Sequence, residues 1–199
     1  MRNCLVIDLD RCSGCDSCIA ACKHENGIGL GVYRNTVDRM GPIGEWPRPQ
    51  QYWLPRQCQQ CENAPCLEVC PTGATYREDE YGLVVVDTEA CIGCKLCMDA
   101  CPYDARRYDE GKGIVEKCDC CIARLKDGEK PACVHNCCAG GRFFGDLDDP
   151  ESDAAQAVAQ AGEENCHWLA DVSGAEPRTV YILHESTATW QEELQDFQL

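Results

Sequence analysis

The sequence contains no apolar run long enough to cross a lipid bilayer, which needs about 18 or more consecutive apolar residues. Its apolar stretches are short, such as Leu83-Val84-Val85-Val86. The first ten residues hold neither the apolar segment and cleavage site of a secretory signal peptide nor a twin-arginine pair. We therefore expect no transmembrane segment and no export signal in the chain itself.

Basic residues are also scarce. Against 34 Asp and Glu there are only 18 Lys and Arg, so the formal net charge is −16. Because nucleic-acid affinity comes largely from Lys and Arg on phosphates, this charge predicts no nucleic-acid partner. The acidity is typical of a surface that keeps a protein in solution.

Few apolar residues remain once the 20 cysteines among the 199 residues are set aside. At this density, cysteines form either a disulfide framework or a metal framework. Disulfide scaffolds belong mainly to short secreted chains, and no secretion signal is visible here. A metal framework would replace much of the missing core, because metal binding supplies folding energy.

Sixteen cysteines form four motifs, numbered here in chain order: Cys12-x2-Cys15-x2-Cys18-x3-Cys22, Cys58-x2-Cys61-x4-Cys66-x3-Cys70, Cys91-x2-Cys94-x2-Cys97-x3-Cys101, and Cys118-x2-Cys121-x11-Cys133-x3-Cys137. In a Cys-x2-Cys-x2-Cys loop, three thiolates surround one face of an iron–sulfur cubane. We expect the fourth cysteine to begin a helical segment that points away, so that it binds the neighbouring cluster.

This exchange of fourth cysteines pairs motif two with motif three, and motif one with motif four. Each predicted ligand set is named here for the motif that supplies three of its members. The motif-two set is Cys58, Cys61, Cys66 and Cys101, and the motif-three set is Cys91, Cys94, Cys97 and Cys70. The motif-one set is Cys12, Cys15, Cys18 and Cys137, and the motif-four set is Cys118, Cys121, Cys133 and Cys22. All positions are filled, which predicts four [4Fe–4S] clusters as cofactors.

Zinc is the main alternative, because two Cys-x2-Cys knuckles commonly supply its four ligands. Motif four alone could form such a site, but motifs one and three would leave thiolates over. The remaining cysteines are expected to be buried non-ligands: Cys4, Cys120, Cys138 and Cys166.

Other polar residues near the motifs have ordinary interpretations as well. A histidine, His24 or His135, could replace a thiolate, but no thiolate is missing. Four cations near ligands could raise a cluster's reduction potential or could equally be solvated: Lys95, Arg106, Arg107 and Lys117.

The organisation predicts an α+β fold of two ferredoxin-like lobes, each binding two clusters, with short strands, short helices and long ligand loops. Residues 1–25 and 111–150 would form the outer lobe, and residues 51–110 the inner lobe. Residues 26–50 would be an irregular insertion and residues 151–199 a tail. In the tail we expect a helix over 153–161 between Ser152 and Gly162, a strand over 179–184 and a polar helix over 189–197.

An internal repeat supports this division. Val6–Cys15 parallels Val85–Cys94, and each stretch predicts a strand, a turn and a cysteine loop. Gly14 and Gly93 lie between the first two cysteines of their motifs, where a glycine would let the backbone approach a cluster closely.

Residues 4–150 resemble the iron–sulfur subunit of the molybdopterin oxidoreductases, the dimethyl sulfoxide reductase family. The resemblance is carried by the motifs and by Cys70-Pro71-Thr72-Gly73-Ala74, Cys101-Pro102-Tyr103-Asp104-Ala105-Arg106 and Phe144-Gly145-Asp146-Leu147-Asp148-Asp149-Pro150. It implies a non-catalytic electron-transfer subunit whose partner is a large molybdenum or tungsten bis-pterin catalytic subunit. A membrane anchor subunit or a soluble electron donor would be a further partner.

The resemblance also implies that the motif-one cluster faces the pterin, near Arg11 and Lys23. Motif four departs from the family, because Cys137 is followed by Cys138-Ala139-Gly140-Gly141 and not by Pro-Thr-Gly-Ala. Two other functions remain open, a freestanding polyferredoxin and a subunit of a hydrogenase-type complex. The compartment also remains open, since the chain could stay in the cytoplasm or be exported folded with a partner carrying a twin-arginine signal.

Overall fold

The computed structural model describes residues 2–171 and 173–190, in which short strands alternate with short helices. The strands are β1 Asn3–Asp8, β2 Asn35–Ile43, β3 Gln50–Gln57, β4 Thr75–Arg77, β5 Val84–Val86, β6 Arg106–Asp109, β7 Ile114–Lys117, β8 Arg142–Asp146, β9 Cys166–His167 and β10 Val180–Ile182. The helices are α1 Ser17–Glu25, α2 Pro65–Glu68, α3 Leu96–Asp99, α4 Ile122–Lys126, α5 Ala132–His135 and α6 Asp153–Ala161. The fold is therefore of mixed helix and strand type, as expected.

A four-stranded sheet in the order β8-β1-β10-β9 joins the beginning of the chain to its end. β1 pairs with β10 in parallel and with β8 antiparallel. Both faces of β1 are buried: Leu5 and Ile7 pack in the core beside the cysteine motifs, and Cys4 and Val6 pack against α6. The sheet thus separates the cysteine motifs from the covering helix.

Helix α6 and strand β10 confirm the two predictions made for the first part of the tail. The Ser152 hydroxyl accepts a hydrogen bond from the Ala155 N–H at 3.1 Å, and Gly162, with φ 83°, ends the helix. The tail is more than an appendage, however, because β10 is an internal strand of the sheet. The expected helix over 189–197 falls almost wholly outside the described residues.

The expectation of an irregular insertion over residues 26–50 needs correction. β2 and β3 form a long antiparallel hairpin from Asn35↔Gln57 to Met40↔Tyr52, with a bulge before Ile43↔Gln50. Only the flanking stretches of this connection are irregular. Its prolines and glycines suggested a loop, but the inward side chains Met40, Tyr52 and Leu54 join the main core and fix the strands.

Two smaller hairpins carry the inner motifs. β4 pairs with β5, and β6 pairs with β7, so the boundary expected at residues 110/111 falls inside the turn of the second hairpin. The repeated strand, turn and cysteine loop is present as predicted, since β1 precedes motif one and β5 precedes motif three. Among the described residues, no helix has the length and apolar character needed to cross a membrane.

Candidate metal centre

All four Cys-x2-Cys loops share one backbone feature. The residue before the second cysteine has a left-handed conformation, with φ values of 65° at Gly14, 52° at Gln60, 66° at Gly93 and 55° at Cys120. An added Cβ would overlap the Trp53 ring at Gly14 and the Gly113 carbonyl at Gly93. These glycines therefore allow close packing by the protein as well as the positive φ.

Each motif places its third cysteine in a helix, at Cys18 in α1, Cys66 in α2, Cys97 in α3 and Cys133 in α5. The expectation that the fourth cysteine begins a helical segment is wrong. Cys22 lies within α1, and the other fourth cysteines follow one residue after the helices' C-caps or directly after them. The helix thus directs the third and fourth thiols of a motif to different places.

Two surface pockets contain complete predicted ligand sets. One is lined by the motif-one set, Cys12, Cys15, Cys18 and Cys137. The other is lined by the motif-three set, Cys70, Cys91, Cys94 and Cys97. In each pocket three thiols come from one motif and the fourth comes from its expected partner motif.

The other two sets are brought together in the interior. The thiols of Cys118, Cys133 and Cys121 are the charged neighbours of Cys22. The Asn26 amide lies 3.7 Å from the Cys22 sulfur and 3.9 Å from the Cys121 sulfur, so it joins motif one to motif four. In the same way, Cys61 has Cys58, Cys101 and Cys66 around it.

Burial strongly disfavours free thiolates at these interior positions. It raises the pKa of Cys61 to about 12 and that of Cys121 to about 12, and neighbouring thiols add to both shifts. Ligands must be deprotonated to bind iron, so bound iron would have to stabilise them as thiolates. Within the described residues, no three His, Cys, Asp or Glu side chains are arranged around a single metal ion. The ligands of a cubane, by contrast, each bind a different iron.

Buried cations provide an independent test of whether an anionic cluster fits. The Arg106 and Arg142 side chains are buried, and each has one guanidinium nitrogen without a hydrogen-bond partner, Nη2 and Nη1 respectively. Thiols of Cys66 and Cys97 surround Arg106, and thiols of Cys133 and Cys18 surround Arg142. Four-thiolate iron–sulfur clusters, which are anionic, fit this environment.

The four cysteines outside the sets divide into two groups. Cys4, Cys120 and Cys166 are buried, as expected. The expectation for Cys138 is wrong: it is exposed, and its sulfur lies 3.4 Å from that of Cys15. Cys120 also affects a predicted ligand, because its hydrogen bond lowers the pKa of Cys118.

The polar residues noted in the sequence occupy different surroundings. Both motif histidines, His24 and His135, are exposed. Lys23 donates hydrogen bonds to the Gly29 and Val32 carbonyls at 2.7 Å each, which holds the loop after α1. Arg142, a buried cation beside ligands, was missed by sequence reasoning. Its position five residues after Cys137, like that of Arg106 after Cys101, is the signal that could have found it.

Comparisons with known proteins agree with this arrangement. Residues 49–147 match the model of a 4Fe-4S dicluster domain, and residues 9–33 match a 4Fe-4S binding domain. The iron–sulfur subunit of the dimethyl sulfoxide reductase of Halobacterium salinarum is 42% identical over 89% of this chain and 78% of its own length. The chain belongs to this family of iron–sulfur subunits.

Relatives within the family serve different enzymes. The corresponding sulfite dehydrogenase subunit of Allochromatium vinosum is 37% identical, over 92% of this chain and 83% of its own length. The corresponding tetrathionate reductase subunit of Salmonella typhimurium is 39% identical, over 91% of this chain and 72% of its own length. This family member is accordingly an electron-transfer subunit with [4Fe–4S] centres.

Proposed function

We propose that the sixteen motif cysteines hold four [4Fe–4S] clusters as a single relay to or from a molybdenum or tungsten bis-pterin catalytic subunit. Such clusters exchange electrons at potentials from about −700 to +450 mV, according to cluster type, charge and surroundings. The chain's own contribution is to fix the order of the ligand sets, to exclude water from the middle of the relay and to expose its ends.

The observation that carries this proposal is the sequence of thiol neighbours between sets. Cys18 of the motif-one set has Cys133 of the motif-four set as a charged neighbour. Cys58 of the motif-two set has Cys118 of the motif-four set as a neighbour. Cys97 of the motif-three set has Cys66 of the motif-two set as a neighbour. These three neighbour pairs support an unbranched order: motif one, motif four, motif two, motif three.

Exposure supports the same order. Among the sixteen proposed ligands, only Cys15 and Cys94 are exposed, and they belong to the first and last sets of the line. The ligands of the two middle sets are buried or partly buried. Partners could therefore approach closely at either end.

The two ends differ chemically. Cys15 has exposed polar neighbours, Ser13 and Asp16. Cys94 lies among Ile92 (65% exposed), Lys95 and Leu96 (47% exposed). Exposed apolar side chains are typical of an interaction surface, and such a surface favours a complex subunit over a diffusible polyferredoxin. We assign the motif-one end to the catalytic subunit and the motif-three end to a membrane anchor subunit or a soluble donor.

Metal analysis of the purified chain tests the number of clusters. Four cubanes require about sixteen irons and about sixteen acid-labile sulfides per chain. Stoichiometric zinc with only about eight irons would show that half of the motifs bind zinc and would disprove the four-cluster relay. Stoichiometric nickel in the purified complex would favour the hydrogenase-type alternative.

A reciprocal pair of charge reversals tests the polarity. Asp16 and Lys95 both follow the second cysteine of their motif and both have left-handed backbones, with φ 59° and 67°. Either residue type therefore suits either position. Asp16→Lys should slow electron exchange with the catalytic subunit, and Lys95→Asp should slow exchange with the other partner.

Reduction of the clusters by a small artificial donor should stay unchanged in both variants. The opposite pattern of slowed reactions would reverse the assigned polarity. Arg11 and Lys23 are less suitable for this test, because Arg11 pairs with Asp8 and Lys23 holds the 29–32 loop.

A further inference from the structure

Three cations are almost wholly buried near the ligand sets. Arg106 is 1% exposed, Lys117 is 3% exposed and Arg142 is 5% exposed. Across residues 2–171 and 173–190, none of them forms an ion pair with a carboxylate. Cations are rarely buried without a charged partner, because removing a charge from water costs several kcal/mol. Each one therefore needs some other negative group nearby.

Arg106 lies where the motif-two and motif-three sets meet. Its Nη1 donates a hydrogen bond to the Thr75 hydroxyl at 3.2 Å, and its Nη2 is buried without a partner. Burial alone would lower the pKa of this guanidinium, but the nearby thiols of Cys66 and Cys97 raise it above its ordinary value. Those two thiols belong to different sets, so the charge is shared between them.

Arg142 occupies the corresponding position between the motif-four and motif-one sets. Its Nη2 donates to the Gln57 side-chain oxygen at 3.3 Å, and its Nη1 has no partner. Burial again opposes the charge, and the thiols of Cys133 and Cys18 outweigh burial, so the pKa is raised.

Lys117 lies at the remaining contact, between the motif-four and motif-two sets. Its ammonium donates to the Cys118 carbonyl at 2.7 Å and to the Val84 carbonyl. Its charge favours the thiolate forms of both Cys58 and Cys118. Every contact between neighbouring sets therefore has one buried cation.

The two arginines have the same place in the repeat. Arg106 follows Cys101 by five residues and begins β6, and Arg142 follows Cys137 by five residues and begins β8. The corresponding positions after Cys70 and Cys22 hold neutral residues, Thr75 and Gly27. Each motif pair thus carries a single arginine, placed at its internal contact.

We propose that Arg106, Lys117 and Arg142 act as junction cations, each raising the reduction potentials of the two clusters on either side of it. The proposal rests on the four-cluster relay described above. A fixed positive charge stabilises the reduced cluster more than the oxidised one, because reduction adds a negative charge. A cation at a junction also weakens the repulsion between two reduced neighbours.

The test replaces each cation by a neutral residue in the full, cluster-loaded chain. The variants are Arg106→Gln, Lys117→Gln and Arg142→Gln, and the readouts are iron content and a redox titration followed by electron paramagnetic resonance. We expect the iron content of the wild type and a reduction equilibrium about tenfold less favourable, or about 59 mV lower, at the two flanking clusters. Arg142→Gln should shift the motif-one and motif-four clusters, Lys117→Gln the two middle clusters, and Arg106→Gln the motif-two and motif-three clusters.

Matched variants separate charge from packing. Arg106→Lys and Arg142→Lys keep the charge and should restore most of the shift. Arg107→Gln removes a neighbouring arginine that is 37% exposed and pairs with Asp104, so it should leave all potentials nearly unchanged. Thr75→Asp would neutralise Arg106 while keeping it in place, and should lower the same two potentials as Arg106→Gln.

Three results would overturn the proposal. One is unchanged potentials in glutamine variants that retain their iron. Another is an equal shift in the lysine variants. The third is loss of iron from every charge-removing variant, Thr75→Asp included, which would assign these cations to assembly alone. A wild-type chain with far fewer than about sixteen irons would instead disprove the relay itself.

Discussion

The inner motif pair and the outer motif pair bind the same proposed cofactor by different constructions. The inner ligands lie within residues 58–101 and are followed by small hairpins of three or four residues per strand. The outer ligands span residues 12–137 and meet because β1, β8 and β10 form one sheet. Closing the longer loop costs more chain entropy, and apolar strand pairing offsets that cost.

The buried residues around each pair show the same difference. In the core of the inner pair, three of the eight buried members are proposed iron ligands, Cys61, Cys66 and Cys97. In the core between β1 and α6, none of the seven buried members is a proposed ligand. The inner pair therefore depends more on iron, and the outer pair more on ordinary packing.

Iron removal should have the largest effect and should separate the two constructions. After treatment with a chelator, we expect loss of the native fold, because clusters replace much of the core. Hydrogen exchange should show β4–β7 losing protection first, while amides of β1 and β10 stay protected longer. Equal, simultaneous loss in both regions would contradict the distinction, and an apo chain with an unchanged circular dichroism spectrum and cooperative melting would contradict the dependence on iron.

Loss of a single ligand should have a smaller effect that appears away from the mutated motif. Cys22→Ser should damage the cluster bound by Cys118, Cys121 and Cys133, and Cys70→Ser the cluster bound by Cys91, Cys94 and Cys97. Electron paramagnetic resonance and iron analysis should show one altered cluster in each variant, with the other three retained. Ser152→Ala, which removes only a helix cap, is a suitable control. Damage to the mutated motif's own three-cysteine cluster would disprove the exchange.

Alanine at the loop glycines should give the smallest effect of the three. In Gly140→Ala only the left-handed backbone is strained, since nothing lies within 4 Å of the added carbon; this should cost about 1–2 kcal/mol. Gly14→Ala and Gly93→Ala add steric overlap of about 1–3 kcal/mol. Of these two, Gly93→Ala should be worse, because a backbone carbonyl can move less than the Trp53 ring. Melting temperatures of the iron-loaded chains would test the order, and an equal loss in all three would show that backbone strain alone decides.

Much of the candidate site could be predicted from cysteine spacing, because a Cys-x2-Cys-x2-Cys loop restricts which thiols can reach one cubane. The cap of α6 and the strand β10 were also predictable, since both depend on side chains a few residues apart. The β2–β3 hairpin was missed because its stability comes from Met40, Tyr52 and Leu54 packing against distant elements. Local composition contains no record of such contacts.

The sequence by itself therefore determined the number of thiols, their grouping into motifs and the family to which the chain belongs. Tertiary structure decided which sets are neighbours, that Cys15 and Cys94 are exposed, and that Cys138 lies beside Cys15. It also decided that Arg106 and Arg142 are buried between ligand sets while Arg107 remains partly in water. Ligand chemistry is written in residue type and short spacing, whereas burial and the field of a charge depend on segments that meet only when the chain is folded.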